Sequence, residues 1–129
     1  MDTIFARIIK GELPCYKVAE NDHFLAFLDI FPLQRGHVLV IPKQSVDYFF
    51  DIEDDILSEM TVFAKQVSQK IKKTFQCERV GVAVIGFEVP HAHIHLIPCN
   101  STEDMDFTRP KLSLSQVELA DIAERLAKA

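Results

Sequence analysis

No apolar stretch in this chain approaches the ~20 residues a helix needs to cross a bilayer. No basic start followed by an apolar run opens it either. Neither a membrane span nor a secretory signal is expected. Cysteine is scarce. Cys15, Cys77 and Cys99 are odd in number and too widely spaced for a Cys-x-x-Cys pair, so free thiols in a reducing compartment are expected. Together these absences point to a cytoplasmic protein. Positive charge is also short: 14 Lys and Arg stand against 19 Asp and Glu, a formal net charge of −5 at pH 7. That balance argues against a broad surface for nucleic acid or an anionic membrane, because such binding rests on clustered cations. It leaves room for one small anion in a pocket, where local donors decide. No internal repeat, linker or low-complexity tract divides the 129 residues. One domain over 1–129 is expected.

What is present is patterned. Ile4, Phe5, Ile8 and Ile9 recur at helical spacing; Lys10 and Gly11 end that segment, and Pro14 keeps it from resuming. Tyr16–Ala19 and Phe24–Asp29 read as strands around a turn at Asn21 and Asp22. Pro32–Gly36 is a loop, and His37–Ile41 is a strand stopped by Pro42. Between Glu53 and Thr74, the residues Ile56, Leu57, Met60, Phe63, Ala64, Val67 and Ile71 form one apolar stripe at helical period. Val80–Ile85 is an almost unbroken apolar run and is expected to be a strand buried on both faces. His91–Ile97 is the next strand. The mixed stretch Cys99–Lys111 then leads to a last helix, opened by a Ser115/Glu118 capping box and reaching Lys128. This order of helices and strands predicts an α+β fold with a mainly antiparallel sheet.

One segment carries chemistry: His91-Ala92-His93-Ile94-His95-Leu96-Ile97-Pro98. In a strand, alternate side chains share a face. His91, His93 and His95 then line one side, while Ala92, Ile94 and Leu96 enter the core. Of the five histidines in the chain, four are these three and His37. Three readings are open. Same-face neighbours lie ~7 Å apart and the outer pair ~13 Å apart, so two of the three could chelate a metal with a third ligand from elsewhere. A neutral imidazole is also a competent nucleophile near pH 7, and its neighbours could donate to phosphoryl oxygens. The third reading is a solvent-facing polar strand surface without a role.

The segment matches the His-φ-His-φ-His-φ-φ signature (φ apolar) of the histidine-triad (HIT) family. Ile4-Phe5-Ala6-Arg7-Ile8-Ile9-Lys10-Gly11-Glu12-Leu13-Pro14 resembles that family's N-terminal helix. Phe27-Leu28-Asp29-Ile30-Phe31-Pro32 resembles its nucleoside pocket, and Gly36-His37-Val38-Leu39-Val40-Ile41-Pro42-Lys43 its following strand. The resemblance covers residues 1–98 in order; the triad segment is 91–98, and 99–129 is a C-terminal extension outside it. It implies a HIT-like fold with a five-stranded sheet, an N-terminal helix, a long central helix and a C-terminal helix, paired into a homodimer. It also implies cleavage at the α-phosphorus of a purine nucleotide of AMP or GMP type, on the Hint-like branch of nucleoside phosphoramidases and nucleotidyl hydrolases. His93 would attack phosphorus and form a transient nucleotidyl-histidine. His95 and His37 would contact phosphate or brace the site, and His91 would support from behind. Asp29 would bind ribose, and Phe5, Ile8, Phe27 and Ile30 would form the slot for the base. Two alternatives stand beside this reading: a dinucleoside polyphosphate hydrolase, and a non-catalytic nucleotide-binding protein.

The chain departs from the family's pattern in two places. Many members carry Gly-Gln-Ser or Gly-Gln-Thr before the triad, where this chain has Gly86-Phe87-Glu88. The missing hydroxyl assists the leaving group. Glu88 could replace it as a general acid, repel polyphosphates, or simply face water. Thr3, Ala6 and Ser45 occupy positions where some members place structural zinc ligands. No metal and no cofactor are expected.

Overall fold

The computed structural model describes residues 2–129. Helix α1 (Ile4–Ile9) is opened by Thr3, whose hydroxyl accepts from the Ala6 N–H at 3.0 Å. Strands β1 (Lys17–Glu20), β2 (Phe24–Leu28) and β3 (Val38–Pro42) follow. Helix α2 (Asp54–Thr74) is the long central helix; β4 (Arg79–Ala83), β5 (Ile94–Cys99) and α3 (Gln116–Lys128) complete the chain. Short 3-10 turns lie at Phe49–Asp51 and Thr102–Met105. Ser115 and Glu118 form the expected capping box at the start of α3.

The sheet has the order β1-β2-β3-β5-β4, antiparallel throughout. The fold is thus the α+β, five-stranded arrangement expected. Alternation along the strands sorts side chains onto two faces. On one face Phe24, Ala26, Leu28, Val38, Val40, Ile94 and Leu96 pack beneath α2 and α3 in the main core. The stripe of α2 buries there through Met60, Phe63, Ala64, Val67 and Ile71. On the other face Leu25, Phe27, Leu39 and Ile41 pack against Phe5 of α1. That second face carries the histidines.

Two expectations are corrected. The apolar run Val80–Ile85 is not buried on both faces: β4 ends at Ala83, and Val82 is 65% exposed, with Val84 and Ile85 also exposed. The run lies at the sheet's edge, where β5, part of α2 and the Met105 side chain over Gly81 cover it, and the remainder is open among the described residues. Period-two alternation marks a half-buried strand, but an unbroken apolar run cannot say where a sheet stops. The strand expected over His91–Ile97 begins only at Ile94. Pro42, opposite this stretch, has no N–H to offer a ladder bond, and Ala92 N–H turns instead to the Val46 carbonyl at 2.7 Å. His91 and His93 therefore sit on the approach to β5 rather than within it.

Candidate active site

Gly36 sets the entry to the site. Its φ is +92°, a region that side chains disfavour, and a Cβ there would lie 2.7 Å from the Phe75 ring. The chain thus turns sharply against the end of α2 and delivers His37 to the head of β3. His37 is buried, and its two ring nitrogens are both engaged. Leu33 N–H donates to Nδ1 at 3.0 Å. Nδ1 being an acceptor, the proton of the neutral ring is on Nε2. Nε2 lies 2.9 Å from His95 Nδ1 and therefore donates to it. His95 must in turn carry its proton on Nε2. A backbone amide thus fixes the tautomers of two successive rings.

His93 is fixed separately. Its Nδ1 lies 2.7 Å from the His91 carbonyl oxygen, which can only accept, so Nδ1 bears the proton and Nε2 holds a free lone pair. His91 donates from Nε2 to the Pro42 carbonyl at 2.8 Å. It is almost wholly buried, and it supports the site through its own carbonyl. Among the described residues no buried side-chain nitrogen or oxygen lacks a partner. Three ring nitrogens of the site histidines have none: His91 Nδ1, His93 Nε2 and His95 Nε2. Of the two on the working rings, His93 Nε2 is a lone pair and His95 Nε2 an N–H donor, and the centroids of those rings are 4.9 Å apart.

The three triad histidines are buried, His93 being only 6% exposed, so the reading of a solvent-facing strand surface fails. Burial holds all four site histidines neutral by disfavouring the imidazolium. His37 is pushed down to about 3, mainly by burial and then by His95 and Lys111. His95 is pushed down to about 4, again mainly by burial, with His93 and Lys111 adding to it. Burial also lowers His91 and His93, although the backbone bond of each and, for His93, the charge of Glu88 pull the other way. A group depressed in this way stabilises the fold at pH values above its unfolded value of 6.5. That contribution is lost as pH falls through the folded values, because the unfolded chain takes up protons that the fold refuses. Stability is expected to fall from pH 7 to pH 5 by about 2 kcal/mol for each of His37 and His95. Asp29, which burial raises, blunts the loss. Denaturant unfolding at the two pH values tests this, and equal midpoints would contradict it.

Asp29 follows β2. Its Oδ1 accepts from the Phe31 N–H at 2.9 Å, so it does cap the local turn. Its Oδ2 lies 3.6 Å from His37 Nε2 and accepts no hydrogen bond from the described residues. One carboxylate oxygen is thus committed and one is available. Phe5 meets Phe27 edge-on at 5.5 Å and His93 at 5.1 Å, with Ile8 packed against the same cluster. These three form an apolar wall beside the nucleophile candidate. Ile30 departs from that arrangement: it is 50% exposed and lies outside the buried cluster. Glu88 is exposed, but its charge reaches both His93 and Asp29. Phe87 is 93% exposed and closes nothing.

Asp29, His37 and His95 offer ligand atoms within 4.8 Å of one another, a spacing suited to a metal ion. The hydrogen bonds oppose it. His37 Nε2 carries a proton because Nδ1 is taken by Leu33 N–H, and a protonated nitrogen cannot ligate. The donor set fits a proton relay and not a metal.

Sequence reasoning missed Phe107. Its ring lies 4.9 Å from His95 and 6.3 Å from His37, covering the pair from the C-terminal side. An aromatic residue alone in a polar stretch was the available signal. The contact itself depends on a tertiary bond, Leu112 N–H to the Pro32 carbonyl at 2.8 Å.

Known proteins resemble this chain in sequence and in fold. The HIT domain family model matches residues 10–102. Adenosine 5′-monophosphoramidase hnt1 of Schizosaccharomyces pombe is 31% identical over 129 residues, covering 98% of this chain and 96% of that protein. An uncharacterized HIT-like protein of Borreliella burgdorferi is 34% identical over 134 residues, covering 98% and 96%. Among solved structures, a Hit-like protein involved in cell-cycle regulation from Bartonella henselae superposes with a TM-score of 0.86 at 27% identity, over 98% of this chain and 95% of that one.

Proposed function

Because the chain belongs to the HIT family, we propose that it hydrolyses nucleoside 5′-phosphoramidates or related nucleotidyl derivatives at the α-phosphorus, with His93 as nucleophile. The observation that carries this reading is the 2.7 Å bond from His93 Nδ1 to the His91 carbonyl, which leaves Nε2 as a free lone pair. In the first step Nε2 attacks phosphorus, the P–N bond to the leaving amine breaks, and the amine departs with a proton. Glu88, whose charge reaches His93, is the carboxylate that takes that proton from solvent water and passes it to the leaving nitrogen. In the second step water attacks phosphorus, the bond to Nε2 breaks and the nucleoside monophosphate leaves. Splitting one displacement into two is the gain from a covalent intermediate. His95 Nε2–H donates to a phosphoryl oxygen as its charge grows, already oriented by His37 before substrate arrives. The S. pombe relative's name, a phosphoramidase acting on an adenosine nucleotide, supports the substrate class.

Asp29 Oδ2 accepts from the ribose hydroxyls, and Phe5, Ile8 and Phe27 receive a purine base, with Ile30 at the rim. Asp29→Ala is expected to weaken AMP binding by about 1–3 kcal/mol, the usual cost of losing a charged partner. Calorimetric titration reads it, and equal affinities would remove Asp29 from the site. The exposed apolar run at the end of β4 and just after it, Val82, Val84 and Ile85, is covered by a second copy of the chain. A sedimentation mass of one 14.7 kDa chain would rule that out. The protein works in the cytoplasm as one domain over 1–129, without cofactor or metal.

The function is tested with adenosine 5′-phosphoramidate. Turnover to AMP, with an AMP adduct on His93 in rapidly quenched protein, is expected. AMP binding without turnover would make the protein a nucleotide-binding module.

A further inference from the structure

The C-terminal segment brings to the site a charge that no part of the proposed chemistry uses. Three bonds tie this segment to the loop leading into His37. Gln34 Nε2 donates to Asp104 Oδ1 at 3.2 Å, Leu112 N–H donates to the Pro32 carbonyl at 2.8 Å, and Arg35 pairs with Glu118 at 2.7 Å. Between these ties Phe107 lies against His95. Lys111 Nζ stands 5.7 Å from that ring's centroid and donates to the Phe107 carbonyl at 2.6 Å. The ammonium and the histidine that presents an N–H to the substrate thus meet the same aromatic ring.

Lys111 has no carboxylate partner among the ion pairs of the described residues. Its field falls on the site instead, at Asp29, His37 and His95. The four histidines there are neutral at pH 7, and the charged groups beside them are Asp29 and Glu88. A phosphoryl group entering such a site meets two carboxylates, neutral rings and the Lys111 ammonium. Lysine suits the position. It is a point charge on a flexible four-carbon stem, and it can leave one carbonyl for a stronger anionic acceptor.

We propose that Lys111 is an anion-binding residue of this site, which turns from the Phe107 carbonyl to a phosphoryl oxygen of the bound nucleotide. The segment 104–112 is then one wall of its own subunit's pocket, and it selects for the phosphate rather than for the nucleoside. The inference rests on the nucleotide reading above.

The test is calorimetric titration of AMP and of adenosine into wild type, Lys111→Ala and Lys111→Arg. The side chain is exposed, so neither substitution threatens the fold. Lys111→Ala is expected to weaken AMP by about tenfold and leave adenosine unchanged, with Lys111→Arg restoring most of the loss. Added salt should weaken AMP more in wild type than in Lys111→Ala. Equal AMP affinity in wild type and Lys111→Ala overturns the proposal while leaving the nucleotide reading intact. Equal losses for AMP and adenosine also overturn it, since they make Lys111 a packing element. A wild type that binds no AMP overturns the nucleotide reading, and this inference with it.

Discussion

The His93→Asn protein is expected to bind AMP yet to hydrolyse adenosine 5′-phosphoramidate at least about a thousandfold more slowly than wild type. Asparagine is the informative replacement. Its amide N–H can occupy the place of Nδ1 and donate to the His91 carbonyl, while nothing stands where Nε2 stood. Alanine is less clean, because His93 is buried against Phe5 and not an exposed pocket group that contributes little to packing. His93→Ala would leave a void beside that ring and a carbonyl without its donor, and it would unfold more easily. Steady-state rates with both variants, together with their melting points, separate chemistry from packing. An Asn variant that turns over near the wild-type rate would transfer the nucleophile's role elsewhere.

The second large effect is expected at His37, which touches no substrate in the proposed mechanism. His37→Ala would remove a buried ring, leave the Leu33 N–H unpartnered and release His95 Nδ1. The cavity and the orphaned donor together should cost about 3 kcal/mol, or about 10 °C in melting point for a domain of this size. Activity should fall as well, by about 10–100-fold in kcat with a smaller change in KM. The freed His95 can then carry its proton on Nδ1 and present a lone pair to an oxygen that needs a donor. His37→Gln separates the two losses. Its amide oxygen can accept from Leu33 and its NH2 can donate to His95, so it should recover much of kcat. If Gln proves no better than Ala, the relay through His37 is not what orients His95.

The legible and illegible parts of this chain differ for physical reasons. Helix α2 was readable because its stripe must meet a core, and α3 because Ser115 and Glu118 satisfy each other locally. The inward side of the triad segment was readable too, since Ala92, Ile94 and Leu96 do enter the main core. The exposure of β4 was not, because its composition is the same for a central strand and for an edge awaiting cover. The placement of Phe107 and Lys111 was not, because it depends on a backbone bond between Leu112 and Pro32 that leaves no local pattern. Asp29 was readable as two alternatives, a turn cap and a ligand group. The structure gives one oxygen to the cap and leaves the other free.

The groups from which the orientation of the two working rings starts belong to the main chain. Leu33 gives its N–H and His91 its carbonyl, and neither contribution depends on the side chain attached. The donor that begins the relay therefore survives most replacements of the side chain at position 33, which matters there only through its packing. Proline there is the exception, since it has no N–H to give.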